Sequence, residues 1–299
     1  MSDNQKAAVL GAFVADALSL GAHWVYNTGV IDKKLGRVER YYDPMTSYHK
    51  GKKAGDFTHY GDQTLVLLES VSGHGEFDAL RFARMWRAFW DGYDGYVDKA
   101  TRATLNNMDA GRGLLESGSD SDDLAGASRL AALLVACRGD PERLARAARE
   151  QAAVTHNHPL VLLCAEFFAR CVAAVLQGNP PAASVTDTLE THFSDSAIAS
   201  LIVMGLESRG RDTRETIAEF GQMCSVEAGI PSSIHLIIRY GDRFKTALVE
   251  NVMAGGDSSA RGMLTGMILG AAHGMSAIPE SWRSELTAGA RIASLLDQG

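Results

Sequence analysis

Residues 262–274 have the sequence GMLTGMILGAAHG, in which a glycine recurs at every fourth position (Gly262, Gly266, Gly270 and Gly274). Residues four apart lie on one face of an α-helix, so a helix over 258–274 would carry a stripe without side chains. Glycine inside a helix costs about 0.5–1 kcal/mol relative to alanine, so four in register need a physical reason. The stripe predicts close packing of another helix backbone; a ligand site against the same face is the second interpretation.

The composition favours closely packed helices over a β-sandwich or barrel. The 299 residues include 46% hydrophobic and 22% charged residues, with 7 prolines, which is typical of a globular chain. We find neither the alternation typical of strands nor a linker that divides the chain. The sequence therefore predicts an all-α fold in a single domain, residues 1–299. Helices are predicted at 5–22, 62–73, 78–91, 96–109, 124–137, 141–154, 158–177, 184–192, 196–207, 212–224, 231–240, 243–253, 258–274 and 280–297.

Two stretches interrupt the helical pattern. Residues 27–61 are rich in Gly, Lys, Tyr and His and are predicted to form a long loop of the kind that often serves as a lid or binding segment. Residues 117–123 are rich in Ser, Asp and Gly and are predicted to form a surface loop.

Charge and cysteine content limit the partners and the compartment. The formal net charge of −7 disfavours a broad surface for nucleic-acid phosphates. The four cysteines form no C-x-x-C pair, and the N-terminus lacks a basic leader region, so we expect reduced thiols in a cytoplasmic protein. Residues 262–279 lack Asp, Glu, Lys and Arg over a length close to that of a membrane span. Small and polar residues nevertheless favour a buried core helix, and no membrane partner is predicted.

Polar residues interrupt apolar stretches at two places in the first quarter of the chain. Asp16 lies within the first predicted helix, where an unpaired buried carboxylate would be costly. It either bonds a neighbouring loop or helps to build a site. Asp62, Gln63 and Thr64 arrive together at the end of the long loop. Helix capping explains one carboxylate there, but it does not explain all three polar side chains.

Three further clusters with polar residues lie at the starts of predicted helices. Residues 155–159 (THNHP) hold two histidines whose spacing differs from the H-x-x-x-H zinc pair, so polar contacts to a ligand or loop are favoured. Residues 255–259 (GGDSS) combine glycines that allow close backbone approach with oxygen donors that suit Mg²⁺; a helix N-cap is the alternative. Residues 124–129 (LAGASR) form a small-residue turn that can receive a phosphate, although such turns are common.

Taken together and in this order, these segments resemble the ADP-ribosylglycohydrolase family, which includes dinitrogenase reductase-activating glycohydrolase and the jellyfish J1 crystallins. The family opening G-D-A-L-G is matched by ADALS at 15–19, and its Y-T-D-D-T box by YGDQT at 60–64. The T-H motif is matched at 155–156, and the G-G-D-x-D-T box by GGDSSA at 255–260. The opening segment, with HWVY at 23–26, is most similar to the J1-crystallin-like branch.

The resemblance implies an all-α, orthogonally packed fold with a central cleft, where Mg²⁺ or Mn²⁺ ions are held by both acidic boxes during hydrolysis of an ADP-ribosyl bond. This chain departs from the boxes at several positions. Gln63 and Ser259 each replace a second Asp, while Gly61 and Ala260 each replace a Thr. His23 stands at an acidic family position. Two remaining carboxylates predict weak or mononuclear metal binding rather than a dinuclear centre.

Two functions are consistent with this pattern. One is a hydrolase acting on an ADP-ribosyl or related N- or O-glycosidic bond of a small-molecule or ADP-ribosylated substrate. The other is a catalytically inactive, J1-crystallin-like ligand-binding or structural protein. For the hydrolase, the resemblance assigns catalysis to Asp62, Asp257 and His23, and metal binding to Asp62, Asp257 and Thr64. The predicted substrate-binding residues are Asp16, Gln63, Gly126, Ser128, His156, Gly256, Ser258 and Ser259.

Overall fold

Sixteen α-helices and no β-strand form the secondary structure of residues 1–298, the part of the chain that the computed structural model describes. The all-α prediction is confirmed. Gly299, the last residue of the predicted domain, lies outside the described residues. In chain order the helices are α1 (Asp3–Leu20), α2 (Thr28–Lys34), α3 (His59–Val71), α4 (Ala79–Phe89), α5 (Lys99–Asp109), α6 (Ala125–Ser128), α7 (Pro141–Ala153), α8 (Pro159–Leu176), α9 (Pro181–Thr188), α10 (Ala199–Glu207), α11 (Thr213–Phe220), α12 (Val226–Arg239), α13 (Phe244–Met253), α14 (Ser258–His273), α15 (Glu280–Ser284) and α16 (Gly289–Asp297).

Helices α1 and α14 pack against each other along their length in the core. Both helices are almost entirely buried. A Cβ atom at Gly266 would lie 2.3 Å from the carbonyl oxygen of Gly11, and one at Gly270 would lie 2.3 Å from that of Ala7. Because a side chain at either glycine would overlap the backbone of α1, the close-packing interpretation of the glycine stripe is confirmed.

Local capping signals predicted the starts of two helices correctly. Helix α7 begins at Pro141 with Asp140 as its N-cap, and α8 begins at Pro159 with His158 as its N-cap. Proline suits the first helical turn, since its missing N–H has no intrahelical partner there in any case. Both starts are therefore determined by neighbouring residues and were predictable from the sequence.

Three predicted helices differ from the structure where distant segments intervene. Helix α12 begins at Val226, five positions before Pro231, which lies inside it. Residues 124–137 form the short α6 followed by a 3₁₀ helix over Arg129–Val135. The stretch 280–297 is divided into α15 and α16, and between them Thr287 N–H donates to Gly55 O (3.0 Å). Periodicity reports local preference only, so it does not reveal these tertiary contacts.

The prediction of a continuous loop over 27–61 is wrong in part. Helix α2 occupies Thr28–Lys34, and the Asn27 side chain accepts a hydrogen bond from Gly29 N–H (3.0 Å) at its start. Helix α3 begins at His59, with the Thr58 hydroxyl accepting from Tyr60 N–H (3.1 Å). The motif at 60–64 therefore lies within a helical first turn rather than at the end of a loop.

Helix α8 is long and apolar enough to cross a membrane by length and composition alone. Of its 18-residue apolar window, 56% is buried inside the protein, and a core helix satisfies the same criterion. Cys164 and Cys171 on this helix are buried free thiols, as is Cys137. The other charge-free stretch, 262–279, lies mostly in the buried helix α14, which confirms its interpretation as a core helix. The cytoplasmic location remains a prediction.

Candidate functional site

Asp16 joins three distant segments at the start of α3. Its Oδ2 accepts the Thr58 N–H (2.8 Å), and its Oδ1 accepts both the Thr58 hydroxyl (2.6 Å) and the Ser259 hydroxyl. Burial raises the pKa of Asp16 to about 6, while these hydrogen bonds act in the opposite direction. A Cβ atom at Gly61 would lie 2.2 Å from Asp16 Oδ2. Glycine at this position therefore gives the carboxylate room to reach the chain before α3.

Asp62 carries a counter-ion supplied by the chain itself. Lys52 Nζ donates to Asp62 Oδ2 (2.6 Å), and the Tyr93 hydroxyl donates to the same oxygen (2.7 Å). The side chain of Asp62 is 14% exposed and that of Lys52 is 22% exposed. Burial raises the pKa of Asp62, and the ammonium of Lys52 partly offsets this rise. The carboxylate is thus held at the edge of the protein interior beside a fixed positive charge.

Asp257 is the N-cap of α14, and its side chain is buried. Its Oδ1 accepts from Ala260 N–H (3.3 Å), and its Oδ2 accepts from the Tyr60 hydroxyl (3.0 Å). Burial raises its pKa, and the nearby Arg261 opposes that rise. Tyr60 and Asp62 are two positions apart in α3, so their side chains leave the helix in different directions. Accordingly, among residues 1–298 the carboxylates of Asp62 and Asp257 share no hydrogen-bond partner.

Gln63 is bound to a buried guanidinium. Its Oε1 accepts from Trp86 Nε1 (2.8 Å) and from Arg129 (2.9 Å), and Arg129 also donates to the Thr155 hydroxyl. Burial lowers the pKa of Arg129 to about 10. The Thr155 hydroxyl lies 2.8 Å from His156 Nδ1. This network connects the segment at 155–156 to α3.

Four imidazoles of this region are buried, and we call them the histidine cluster: His23, His49, His59 and His156. The ring centroids of His49 and His59 are 5.5 Å apart, and that of His23 lies 5.4 Å from His49. Burial lowers the pKa of His23 well below its usual value and lowers the pKa of the other three to about 3. Each ring has at least one nitrogen with no hydrogen-bond partner among the described residues. Neutral imidazoles in this state can donate or accept a hydrogen bond from a ligand.

The remaining predicted substrate-binding residues are buried, and their roles stay predictions. A Cβ atom at Gly126 would lie 2.7 Å from His156 Cβ, so this glycine packs directly against the histidine cluster. The Ser128 hydroxyl donates to Ala125 O (3.0 Å). Gly256 O accepts from Trp24 N–H (2.9 Å). The Ser258 hydroxyl, buried in α14, has no partner among residues 1–298.

Several residues of this region were not singled out by their sequence pattern. The segment predicted as a surface loop, 117–123, is partly buried, and Ser119 donates to Thr155 O (2.8 Å). The same segment places Asp123 beside Cys224 and Asp257, with their ligand atoms all within 4.8 Å of one another. Asp98 lies 3.4 Å from His59. No spacing rule signals these residues, because loop contacts bring them together.

The two boxes do not offer enough free donors for a pair of divalent cations. The Thr64 hydroxyl donates to Tyr60 O (2.8 Å), the Gln63 oxygen is already bonded to two donors, and Ala260 has no oxygen in its side chain. Two close divalent ions require several anionic oxygens between them. A single hard cation fits at Asp62 only by displacing the ammonium of Lys52.

Comparison with known proteins finds one family along nearly the full length of the chain. A family model described as ADP-ribosylglycohydrolase matches residues 2–298. Crystallin J1A from Tripedalia cystophora is 23% identical over 99% of this chain and 96% of its own length. ADP-ribosyl-[dinitrogen reductase] glycohydrolase from Rhodospirillum rubrum is 25% identical over 95% of this chain and 90% of its own length. A solved structure titled "ADP-ribosylglycohydrolase-related protein complex" shares the fold, with a TM-score of 0.74, 22% identity and coverage of 99% of this chain and 96% of that one.

Proposed function

Because this chain belongs to the ADP-ribosylglycohydrolase family, we propose that it hydrolyses an ADP-ribosyl bond or a related N- or O-glycosidic bond. Its substrate is a small molecule or an ADP-ribosylated protein. The observation that carries this proposal is the state of Asp62, a carboxylate held by Lys52 and Tyr93 at the edge of a polar, histidine-lined interior. Family membership supports the reaction class, and the geometry supports the choice of residues.

Asp62 is proposed as the acid–base group. Its burial raises its pKa, which brings a carboxyl group closer to the range where it exchanges protons near neutral pH. In the reaction the bond between the ribose anomeric carbon and the leaving group breaks, water supplies the new hydroxyl, and the leaving group takes a proton. Asp257, held by the Tyr60 hydroxyl, orients the ribose hydroxyls. His23, neutral and 3.9 Å from Asp257, is the second proposed proton carrier.

A metal requirement is proposed only in a weak form. Asp62 is the proposed anchoring ligand of one Mg²⁺ or Mn²⁺ ion, which would neutralise charge near the ribose hydroxyls when bound. Asp257 and Thr64, the other ligands that the resemblance implies, would have to give up their hydrogen bonds to Tyr60 to join it. The Lys52–Asp62 ion pair supports weak affinity, since the ammonium competes for the same oxygen. In the absence of such an ion, Lys52 itself supplies a positive charge at this carboxylate.

A second candidate function is a ligand-binding or structural role without turnover. The similarity to crystallin J1A favours it. So does the internal pairing of the box residues, since Gln63 and Asp62 are both bonded to cationic side chains of the chain itself. On this alternative ADP-ribose could raise the melting temperature by binding the folded state, but no bond would be broken.

The test measures release of ADP-ribose from a panel of arginine- and serine-linked ADP-ribosylated peptides. We expect release by the unaltered protein and a loss of about 100-fold or more for Asp62→Asn, which is the usual range for an acid–base group. Asp43→Asn is the matched control, because Asp43 is an exposed carboxylate of the same segment that pairs with Lys53. Absence of release from every peptide and from every small-molecule ADP-riboside in the same assay would refute the hydrolase proposal, whereas equal rates for both variants would refute the role of Asp62.

A further inference from the structure

Four loop segments meet beside the N-terminus of α14 and are held together by backbone hydrogen bonds. Residues 24–25 pair with Gly256, residues 122–124 pair with 224–226, and Asp257 N–H donates to Gln222 O (2.9 Å). In the first two of these contacts, each segment both donates and accepts a backbone hydrogen bond. They are Trp24 N–H to Gly256 O (2.9 Å), Gly256 N–H to Val25 O (2.9 Å), Leu124 N–H to Cys224 O (2.8 Å) and Val226 N–H to Asp122 O (2.9 Å).

Three of these segments direct one metal-binding side chain each toward the same place, and the fourth places His23 beside one of them. The ligand atoms of Asp123, Cys224 and Asp257 all lie within 4.8 Å of one another. His23 Nδ1 lies 3.9 Å from Asp257 Oδ1, and this fully buried ring has no hydrogen-bond partner on either nitrogen among residues 1–298. We propose that Asp123, Cys224 and Asp257 bind one thiophilic divalent cation, with Zn²⁺ as the preferred ion and the unpartnered His23 beside Asp257 as the nearest imidazole.

The donor set distinguishes this ion from Mg²⁺. One thiolate and two carboxylates are ligands that Zn²⁺ takes in four-coordinate sites, where a water molecule or an imidazole fills the fourth position. A sulfur ligand is unfavourable for the hard cation Mg²⁺ but favourable for Zn²⁺ or Co²⁺. A divalent cation would also offset the repulsion between the carboxylates of Asp123 and Asp257, which otherwise face each other within the same small space. The Cys224 thiol would release its proton to solvent on binding.

The backbone at Trp24 is independent support for a purpose-built loop. Trp24 has φ 61°, and it is the one non-glycine residue among those described with φ in the left-handed region. Such a conformation is strained in a non-glycine residue and persists only where surrounding contacts enforce it. Here it turns the chain between His23, whose ring points inward, and Val25, whose carbonyl pairs with Gly256. The His23 ring before this turn is fully buried, with its Nδ1 3.9 Å from Asp257 Oδ1.

The cation has a route to the site. Asp123 and Cys224 are only half-buried, whereas His23 and Asp257 are buried. The two half-buried ligands mark the side that faces solvent, where an ion can enter and where a water molecule can complete the coordination. This proposal goes beyond the glycohydrolase activity, because it predicts a bound metal whether or not the protein turns over a substrate. Asp257 is also a proposed ligand of the weak Mg²⁺ site, but a sulfur ligand disfavours Mg²⁺, so the thiophilic ion should hold Asp257 when both ions are present.

The test uses the full-length protein after removal of metal with a chelator, and Co²⁺ alone as the probe. We expect one equivalent of Co²⁺ to bind and to give the near-ultraviolet absorption band of a cobalt–thiolate bond. Zn²⁺ should abolish the band, whereas excess Mg²⁺ should leave it largely intact. Cys224→Ser should remove the band, while Cys137→Ser, which alters a buried cysteine outside the cluster, should retain it.

A second variant protects the test against misfolding. Asp123→Asn keeps the thiol and should lower Co²⁺ affinity by about tenfold or more, because loss even of a supporting contact at a metal site costs about 10–100-fold. Absence of stoichiometric Co²⁺ binding overturns the proposal, and so does a thiolate band that survives Cys224→Ser or an affinity unaffected by Asp123→Asn. None of these readouts depends on ADP-ribose release, so failure of the hydrolase proposal would leave them interpretable.

Discussion

Substituting Lys52 by methionine should strengthen Mg²⁺ binding at Asp62. Lys52 Nζ lies 2.6 Å from Asp62 Oδ2, and an incoming cation must displace it. A hydrogen bond to a charged group contributes about 1.5–3 kcal/mol, and each 1.4 kcal/mol is about tenfold in affinity. Both side chains retain some exposure, 22% for Lys52 and 14% for Asp62, so screening favours the lower end of this range. We therefore expect the Mg²⁺ dissociation constant to fall about tenfold.

Isothermal titration calorimetry at about pH 8 measures this change with Asp62 ionised. The pH matters because loss of the ammonium would raise the pKa of Asp62 further. Lys53→Met is the matched control, since Lys53 is the adjacent lysine, is 74% exposed and pairs with Asp43 rather than Asp62. If Lys52→Met and Lys53→Met bind Mg²⁺ with the same affinity as the unaltered protein, Lys52 does not compete with a cation and the reasoning fails.

Two other results are expected. Gly266→Ala should lower the melting temperature, because overpacking costs about 1–3 kcal/mol and the new Cβ would lie 2.3 Å from Gly11 O. Gly210→Ala is the control and should change the melting temperature little, because its Cβ would have no neighbour within 4 Å. Equal losses of melting temperature in the two variants would contradict the packing argument. Acid should destabilise the protein through the histidine cluster. Three of its members have folded pKa values of about 3, below the ordinary 6.5, so the unfolded state binds more protons in between. The histidines therefore contribute stability fully above about pH 6.5, and this contribution is lost as the pH falls toward about 3, by up to about 1.4 kcal/mol per histidine for each pH unit. Urea unfolding measured across this pH range tests the prediction. A urea midpoint that stays constant would show that the rings are not buried in the neutral form.

The helices and their starts follow largely from local sequence. The glycine stripe at 262–274 predicted a helix pressed against another backbone, and α14 packs on α1 in that way. Asp140 and His158 before prolines marked two helix starts correctly. These predictions succeed because periodicity and capping depend on residues within one or two turns of each other.

The candidate site was predictable only in outline. The motifs indicated that segments near 16, 62, 156 and 257 belong to one region, and the contacts of Asp16 with Thr58 and Ser259 join three of these four segments. The individual partners were not predictable. Nothing in the sequence pairs Lys52 with Asp62, and no spacing brings Asp123 to Cys224.

Composition, periodicity and motif order thus determined the all-α fold class and the ADP-ribosylglycohydrolase family, since these features can be read from the residues along the chain. The protonation and pairing of its acidic and histidine side chains emerged only from the packed molecule. Those properties depend on burial and on hydrogen bonds between loops far apart in the chain, such as Trp24 with Gly256 and Leu124 with Cys224. A local sequence pattern does not indicate which loops will contact each other. The pKa of each ionisable group is therefore determined by the burial, charges and hydrogen bonds that it acquires when the helices pack together.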